Sequence, residues 1–231
     1  MNRNARAVLD SFRTTTLTFD CYGTLVDWEG GACGALRDIY GYSASEVSDD
    51  TLIDSFLEAD ARIIRRNIFP YASVLTAVAR EISERLHGKS DPALETAFAN
   101  SLPSWPVFEE TNMALHRLAE RYRLAIISNV DDRLLSQTVE RFDVPFDIIM
   151  TSEQSRCYKP NIAIFQKALQ LIGDHPSNVV HIAEGLCEAK PAGELGMRSI
   201  WVKRSQRSDD GSKARPDATV ATLTELVESL S

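Results

Sequence analysis

No apolar run in this 231-residue chain approaches the roughly 20 residues needed to span a bilayer. Its start, Met1-Asn2-Arg3-Asn4-Ala5-Arg6, also lacks the apolar stretch of a secretory signal. These absences lead us to expect a cytoplasmic protein with no membrane partner. Positive charge is scarce as well. The 25 lysines and arginines are outnumbered by 33 acids, and the resulting net charge of -8 argues against nucleic acid as a partner. A small anionic organic substrate stays compatible through local positive charge. The four cysteines, Cys21, Cys33, Cys157 and Cys187, contain no CxxC pair, so neither a zinc site nor a disulfide framework is signalled. There is no internal repeat and no low-complexity tract.

What the chain does have is a succession of short apolar runs. They lie at Leu17–Phe19, Leu124–Ile127, Ile148–Met150, Val179–Ile182 and Ser199–Val202, with a last short one near Ala218–Val220. From the second run onward, each is separated from the next by enough chain for a helix, and such alternation predicts a parallel sheet. The interval from about Asp27 to Ser104 is too long for one crossover and carries helical patterns such as Leu52–Arg66 and Ser73–Leu86. It reads as an inserted helical cap, broken by Pro70 and by Gly88-Lys89-Ser90-Asp91-Pro92. The expected organisation is therefore a core of residues 1–26 and 104–231 with a cap of 27–103. A polar stretch, Ser205–Pro216, is expected as a surface loop, with a terminal helix at Leu223–Leu230.

Four segments carry chemistry. In Leu17-Thr18-Phe19-Asp20-Cys21-Tyr22-Gly23-Thr24-Leu25 an apolar strand runs into a carboxylate and then a Gly-Thr turn, which puts Asp20 at a strand's C-terminal edge, where open α/β sheets bind ligands. In Ile126-Ile127-Ser128-Asn129 a strand ends in two hydrogen-bonding side chains ahead of Asp131-Asp132 and a helical pattern, a combination suited to an anion. Tyr158-Lys159-Pro160 offers a fixed positive charge that would keep a nearby carboxylate ionised. In His181-Ile182-Ala183-Glu184-Gly185-Leu186-Cys187-Glu188 two acids four apart close another strand; with Asp20 they supply the oxygen ligands that Mg²⁺ prefers. His181 reads as a strand-packing residue, and Cys21 and Cys187 as small buried side chains rather than nucleophiles.

These four segments, in this order and with the insertion in this place, resemble the haloacid dehalogenase (HAD) hydrolase superfamily. Phe19-Asp20-Cys21-Tyr22-Gly23-Thr24-Leu25-Val26-Asp27-Trp28 and Pro70-Tyr71 are most similar to its type II haloacid dehalogenase branch. The resemblance implies an α/β fold, a Rossmann-like parallel sheet with a helical cap, and a hydrolase whose nucleophile is Asp20. It implies Lys159 as electrostatic partner, with Thr24, Ser128 and Asn129 organising nucleophile and substrate. Glu188 would orient Lys159 or water, or else bind metal with Glu184. Tyr22 discriminates, because phosphatases of the superfamily carry a second aspartate there to protonate an alkoxide. A halide leaves unprotonated, so the expected reaction is cleavage of a carbon–halogen or other activated carbon–heteroatom bond through an aspartyl ester, without a cofactor.

The chain departs from that branch in several places. The cap arginine that clamps substrate falls near Leu57, a tyrosine beyond the motif lysine falls on Phe165, and Ser and Asn partners fall on Ala183 and Gly185. Arg62, Arg65 or Arg66, or Arg37 earlier, are candidate replacements for the clamp, and Trp28, Phe69 and Tyr71 for an apolar wall. The alternative reading is a phosphatase of small monoesters with Mg²⁺ held by Asp20, the Tyr22 carbonyl, Glu184 and Glu188. A third is a catalytically weak ligand-binding protein on the same fold. A homodimer is compatible with any of these.

Overall fold

The computed structural model describes residues 5–10, 14–66, 70–204, 209 and 211–230, apart from the side chain of His87. Its centre is a six-stranded sheet of β1 (Thr16–Phe19), β2 (Arg123–Ser128), β3 (Ile148–Thr151), β4 (Val179–Ala183), β5 (Arg198–Val202) and β6 (Ala218–Val220). Each apolar run named above is one of these strands. Every pairing is parallel, and the spatial order is β3-β2-β1-β4-β5-β6. Strand β1 is buried throughout because neighbours flank it on both edges and helices cover both faces. The strand order reverses beside β1, between β2 and β4. In a sheet of this kind, the crevice at the carboxyl ends of those strands is where ligands bind.

The helices in chain order are α1 (Ala5–Asp10), α2 (Trp28–Tyr40), α3 (Asp49–Ile64), α4 (Tyr71–His87), α5 (Pro92–Ser101), α6 (Thr111–Ala119), α7 (Asp132–Val139), α8 (Ser152–Ser155), α9 (Ile162–Ile172), α10 (Ala189–Glu194) and α11 (Leu223–Glu228). Helices α2 to α5 all fall between β1 and β2 and pack on one another. Their ends follow from local chemistry. Asp27 accepts the N–H of Gly30 at 3.0 Å to start α2, and Ser48 accepts that of Thr51 at 3.2 Å to start α3. Gly88 closes α4 in the left-handed conformation, and Asp91-Pro92 opens α5. The terminal helix ends two residues earlier than the pattern suggested. The polar stretch lies only partly within the described residues, because 205–208 and 210 fall outside them.

Phe56, Phe98 and Trp105 form an aromatic cluster where these inserted helices meet the chain returning to the sheet. Trp28 and Tyr22 join it, through Phe56 and Trp105 respectively. The insertion is thereby seated directly over the carboxyl end of β1.

Candidate active site

Asp20 is the first residue beyond β1, and its backbone N–H is held by the Ile182 carbonyl at 3.0 Å. Its carboxylate is buried and engaged at both oxygens. Lys159 Nζ donates to Oδ1 at 2.6 Å, and Thr24 Oγ1 donates to Oδ2 at 2.9 Å. Thr24 also accepts the Glu184 N–H at 2.8 Å, so one hydroxyl ties the turn after β1 to the end of β4. Gly23 has φ +102°, a conformation that favours glycine, and a Cβ there would also press on Glu184.

Lys159 reaches Asp20 because Asn129 fixes its backbone: Asn129 Oδ1 accepts the Lys159 N–H at 2.6 Å. Behind the ammonium a chain of polar contacts runs into the sheet. Lys159 Nζ meets Glu188 Oε2 at 2.9 Å, His181 Nε2 meets the same oxygen at 2.9 Å, and Thr18 Oγ1 lies 2.9 Å from His181 Nδ1. A ring with its proton on Nε2 satisfies both neighbours. Phe165 packs edge-on against that ring with centroids 5.1 Å apart. His181 therefore does more than fill space in β4, since it anchors Glu188.

Burial raises the Asp20 carboxyl above the ordinary aspartate range, and Lys159 offsets only part of this. For Glu188, burial also pushes upward, but Lys159 and His181 outweigh it and hold the carboxyl low. Lys159 itself is driven above the usual lysine range, since its two carboxylates overcome the cost of burial. The result is one fixed ammonium shared by two acids.

A cavity of about 190 Å³ opens over this group. Asp20, Tyr22, Trp28, Ser128, Asn129, Lys159, Glu184 and Glu188 all border it, so the structure brings together most of the sequence-derived candidates. Thr24 lies beneath, acting on Asp20. Arg62 does not belong: it forms an ion pair with Glu81 on the exposed face of α3, away from the cavity. Helical spacing explains the error, since the residues of α3 that border the cavity are Phe56, Leu57 and Asp60. Arg37 is committed to Asp49 and to the carbonyls of Tyr42 and Val47, and Arg65 and Arg66 are exposed. Trp28 and Tyr71 do line the cavity, whereas Phe69 lies outside the described residues.

The anion site expected at the N-terminus of α7 is filled from within. Asp131 caps that helix by accepting the Leu134 N–H at 3.1 Å, and Glu153 accepts the Asp132 N–H at 3.1 Å. The Tyr22 hydroxyl is also engaged. It lies 2.7 Å from Thr138 Oγ1, whose own proton goes to the Leu134 carbonyl, so Tyr22 donates. As for magnesium, Asp20 and Glu188 converge on the Lys159 ammonium. Among the described residues no three acid, histidine or cysteine side chains gather as a metal-holding group. Burial lifts the Cys21 thiol well above the ordinary range, which removes it as a nucleophile.

A family profile described as haloacid dehalogenase-like hydrolase matches residues 14–194. The chain belongs to that family. It is 33% identical over 135 residues to haloacid dehalogenase-like hydrolase domain-containing protein 3 of Mus musculus, a match covering 54% of each chain, so it spans about half the length of that relative. It is 24% identical to (S)-2-haloacid dehalogenase 4A of Burkholderia cepacia over 95% of both chains. An L-2-haloacid dehalogenase from Xanthobacter autotrophicus, solved with chloropropionic acid covalently bound, superposes with a TM-score of 0.79 at 19% identity, covering 93% of this chain and 97% of that one. That last likeness establishes the fold of this HAD-like hydrolase. Sequence reasoning missed Asp60, which borders the cavity from α3 and carries no motif; its one signal is its place a helical turn beyond Leu57.

Proposed function

We propose that this HAD-like hydrolase cleaves an activated carbon–heteroatom bond of a small organic substrate, as in 2-haloacid dehalogenation, with Asp20 as nucleophile and the helical insertion as its cap. The observation that carries this reading is the Asp20–Lys159 contact of 2.6 Å on the cavity floor, with a tyrosine two residues on whose hydroxyl is committed to Thr138. Asp20 attacks the substrate carbon, the carbon–heteroatom bond breaks with its electron pair leaving on the heteroatom, and an aspartyl ester forms. Water then adds to the ester carbonyl. The negative charge of that intermediate develops beside the Lys159 ammonium, which Glu188 and His181 hold in place. Collapse returns the Asp20 carboxylate and releases an alcohol.

Purified protein offered 2-haloacids and phosphate monoesters, with Mg²⁺ or with excess chelator and with Asp20→Ala as blank, tests this. Halide release indifferent to chelator is expected. A single turnover in H₂¹⁸O should place the label in the Asp20 carboxylate. Phosphate release that stops on chelation would sink the proposal in favour of a magnesium phosphatase.

A further inference from the structure

The cap side of the cavity carries a charge opposite to a clamp for an anion. Leu57 occupies the position where an arginine was expected, and the ionisable group that α3 presents to the cavity is Asp60. Tyr71, the first residue of α4, donates its hydroxyl to Asp60 Oδ1 at 2.9 Å. Asp60 is thus oriented by a second helix of the insertion, as a group held for a task would be. Tyr158 stands behind, its ring centroid 6.2 Å from that of Tyr71. The other titratable groups bordering the cavity are Tyr22 from the turn after β1 and, at the floor, Asp20, Lys159, Glu184 and Glu188. Burial raises the Asp60 carboxyl to about 6, although the Tyr71 hydrogen bond pulls it down. Burial also raises Tyr22, Tyr71 and Tyr158, so all three phenols stay protonated.

We propose that Asp60 is a proton donor to the leaving group, and that the site accordingly also takes substrates whose leaving atom is oxygen. The inference rests on Asp20 as nucleophile and specifies the far end of the same substrate. A departing halide needs no proton and gives Asp60 no task. The lysine that borders the cavity, Lys159, is engaged by Asp20 and Glu188, while the arginines of α2 and α3 are paired elsewhere or exposed. An alkoxide or phenoxide needs a proton, and Tyr22 cannot give one because its hydroxyl donates to Thr138. In the step, an Asp20 oxygen bonds to the electrophilic centre and the bond to the leaving oxygen breaks. Its electron pair stays on that oxygen, which takes the proton of the Asp60 carboxyl. In the second half the Asp60 carboxylate recovers a proton from the water that hydrolyses the Asp20 intermediate. The sum is addition of one water across the broken bond. The division of roles between two carboxyls in different surroundings is the one that general acid catalysis requires.

The test uses two leaving groups, phenol and 4-nitrophenol, each carried on two electrophiles, 2-aryloxypropionate and aryl phosphate. Wild type, Asp60→Asn and Tyr71→Phe are compared by kcat/KM against pH. On the electrophile that wild type accepts, Asp60→Asn should lose about 10²- to 10⁴-fold for phenol release. For 4-nitrophenol, which departs without a proton, the loss should be less than about tenfold. Tyr71→Phe removes a hydrogen bond that favours the ionised acid, so the high-pH fall in phenol release should move upward. Wild type that releases phenol from neither series, an Asp60→Asn loss equal for both leaving groups, or an unmoved pH limb in Tyr71→Phe overturns the assignment. The last comparison stands even if Asp60→Asn fails to fold. A single turnover of the 4-nitrophenyl substrate in H₂¹⁸O, read by peptide mass for ¹⁸O in the Asp20 carboxylate, tests the nucleophile separately, because 4-nitrophenol departs without the Asp60 proton. A missing label in wild type defeats that reading whatever the phenol series shows.

Discussion

Asp131 Oδ2 accepts the backbone N–H of Ala72 at 2.9 Å, joining the end of β2 to the first turn of α4. The other oxygen of the same carboxylate caps α7 through Leu134, so one buried side chain serves two helix N-termini, one in the insertion and one beside the sheet.

Asp131→Ala should therefore cost about 1–2 kcal/mol for the lost cap of α7, with more for the orphaned Ala72 N–H. Urea unfolding measures the total. Because α4 also carries Tyr71 into the cavity, KM should rise along with the loss of stability. An unchanged KM would mean that the insertion keeps its seat without this contact.

Removing Lys159 leaves Asp20 and Glu188 buried and facing each other. Breaking a buried charge pair from one side costs roughly 3–5 kcal/mol, and Lys159→Ala should lose an amount of that order together with nearly all turnover. Without the ammonium, one of the two carboxyls must keep its proton, which raises its folded pKa above the unfolded value. The variant should then lose stability, relative to wild type, as pH rises from about 4 to 8. Denaturant midpoints across that range check the sign.

Asp60 gives the opposite experiment, in which removing an acid helps. Its folded pKa of about 6 lies above the unfolded aspartate value. Between the two, the folded state binds more protons than the unfolded state, so stability falls as pH rises through that window. Asp60→Asn removes this dependence. Its unfolding free energy should gain on wild type from about pH 4 to pH 6 and hold the advantage above. A difference that is flat with pH would place Asp60 in water rather than in a dry wall.

Tyr22→Phe deletes one hydrogen bond, to Thr138, and should cost about 0.5–1.5 kcal/mol of stability. The ring remains against Trp105, with centroids 6.1 Å apart. Since the hydroxyl donates to Thr138 rather than to substrate, kcat should fall less than about tenfold, well short of what loss of a general acid brings. A fall of a thousandfold would reassign the phenol as a proton donor.

Much of this architecture was legible from residue order alone. The six strands stand where the apolar runs stand, because a strand of a parallel sheet is buried on both faces and so reads as continuous hydrophobicity. Asp20, Ser128 and Asn129, Lys159 and Glu188 were legible for a related reason. Each ends a strand or follows one, and the topology sends all those ends to one edge. The insertion was legible as helix but not as surface. Arg62 and Asp60 lie two positions apart on α3, and the pattern could not say which of them faced inward.

By itself, then, the sequence determined the fold, the family and the line of polar residues along the carboxyl edge, since these depend on periodicity and on chain order. Only the tertiary structure decided how charge is distributed within the site. It places Asp131 on the helix N-terminus that an anion was expected to fill, His181 behind Glu188, Tyr22 on Thr138, and Asp60 rather than an arginine at the cavity wall. Those outcomes turn on which way a side chain points and what lies within about 3 Å of it, the reach of a hydrogen bond. Distances of that kind join residues far apart in the chain, and they exist only once the sheet and the insertion have closed on each other.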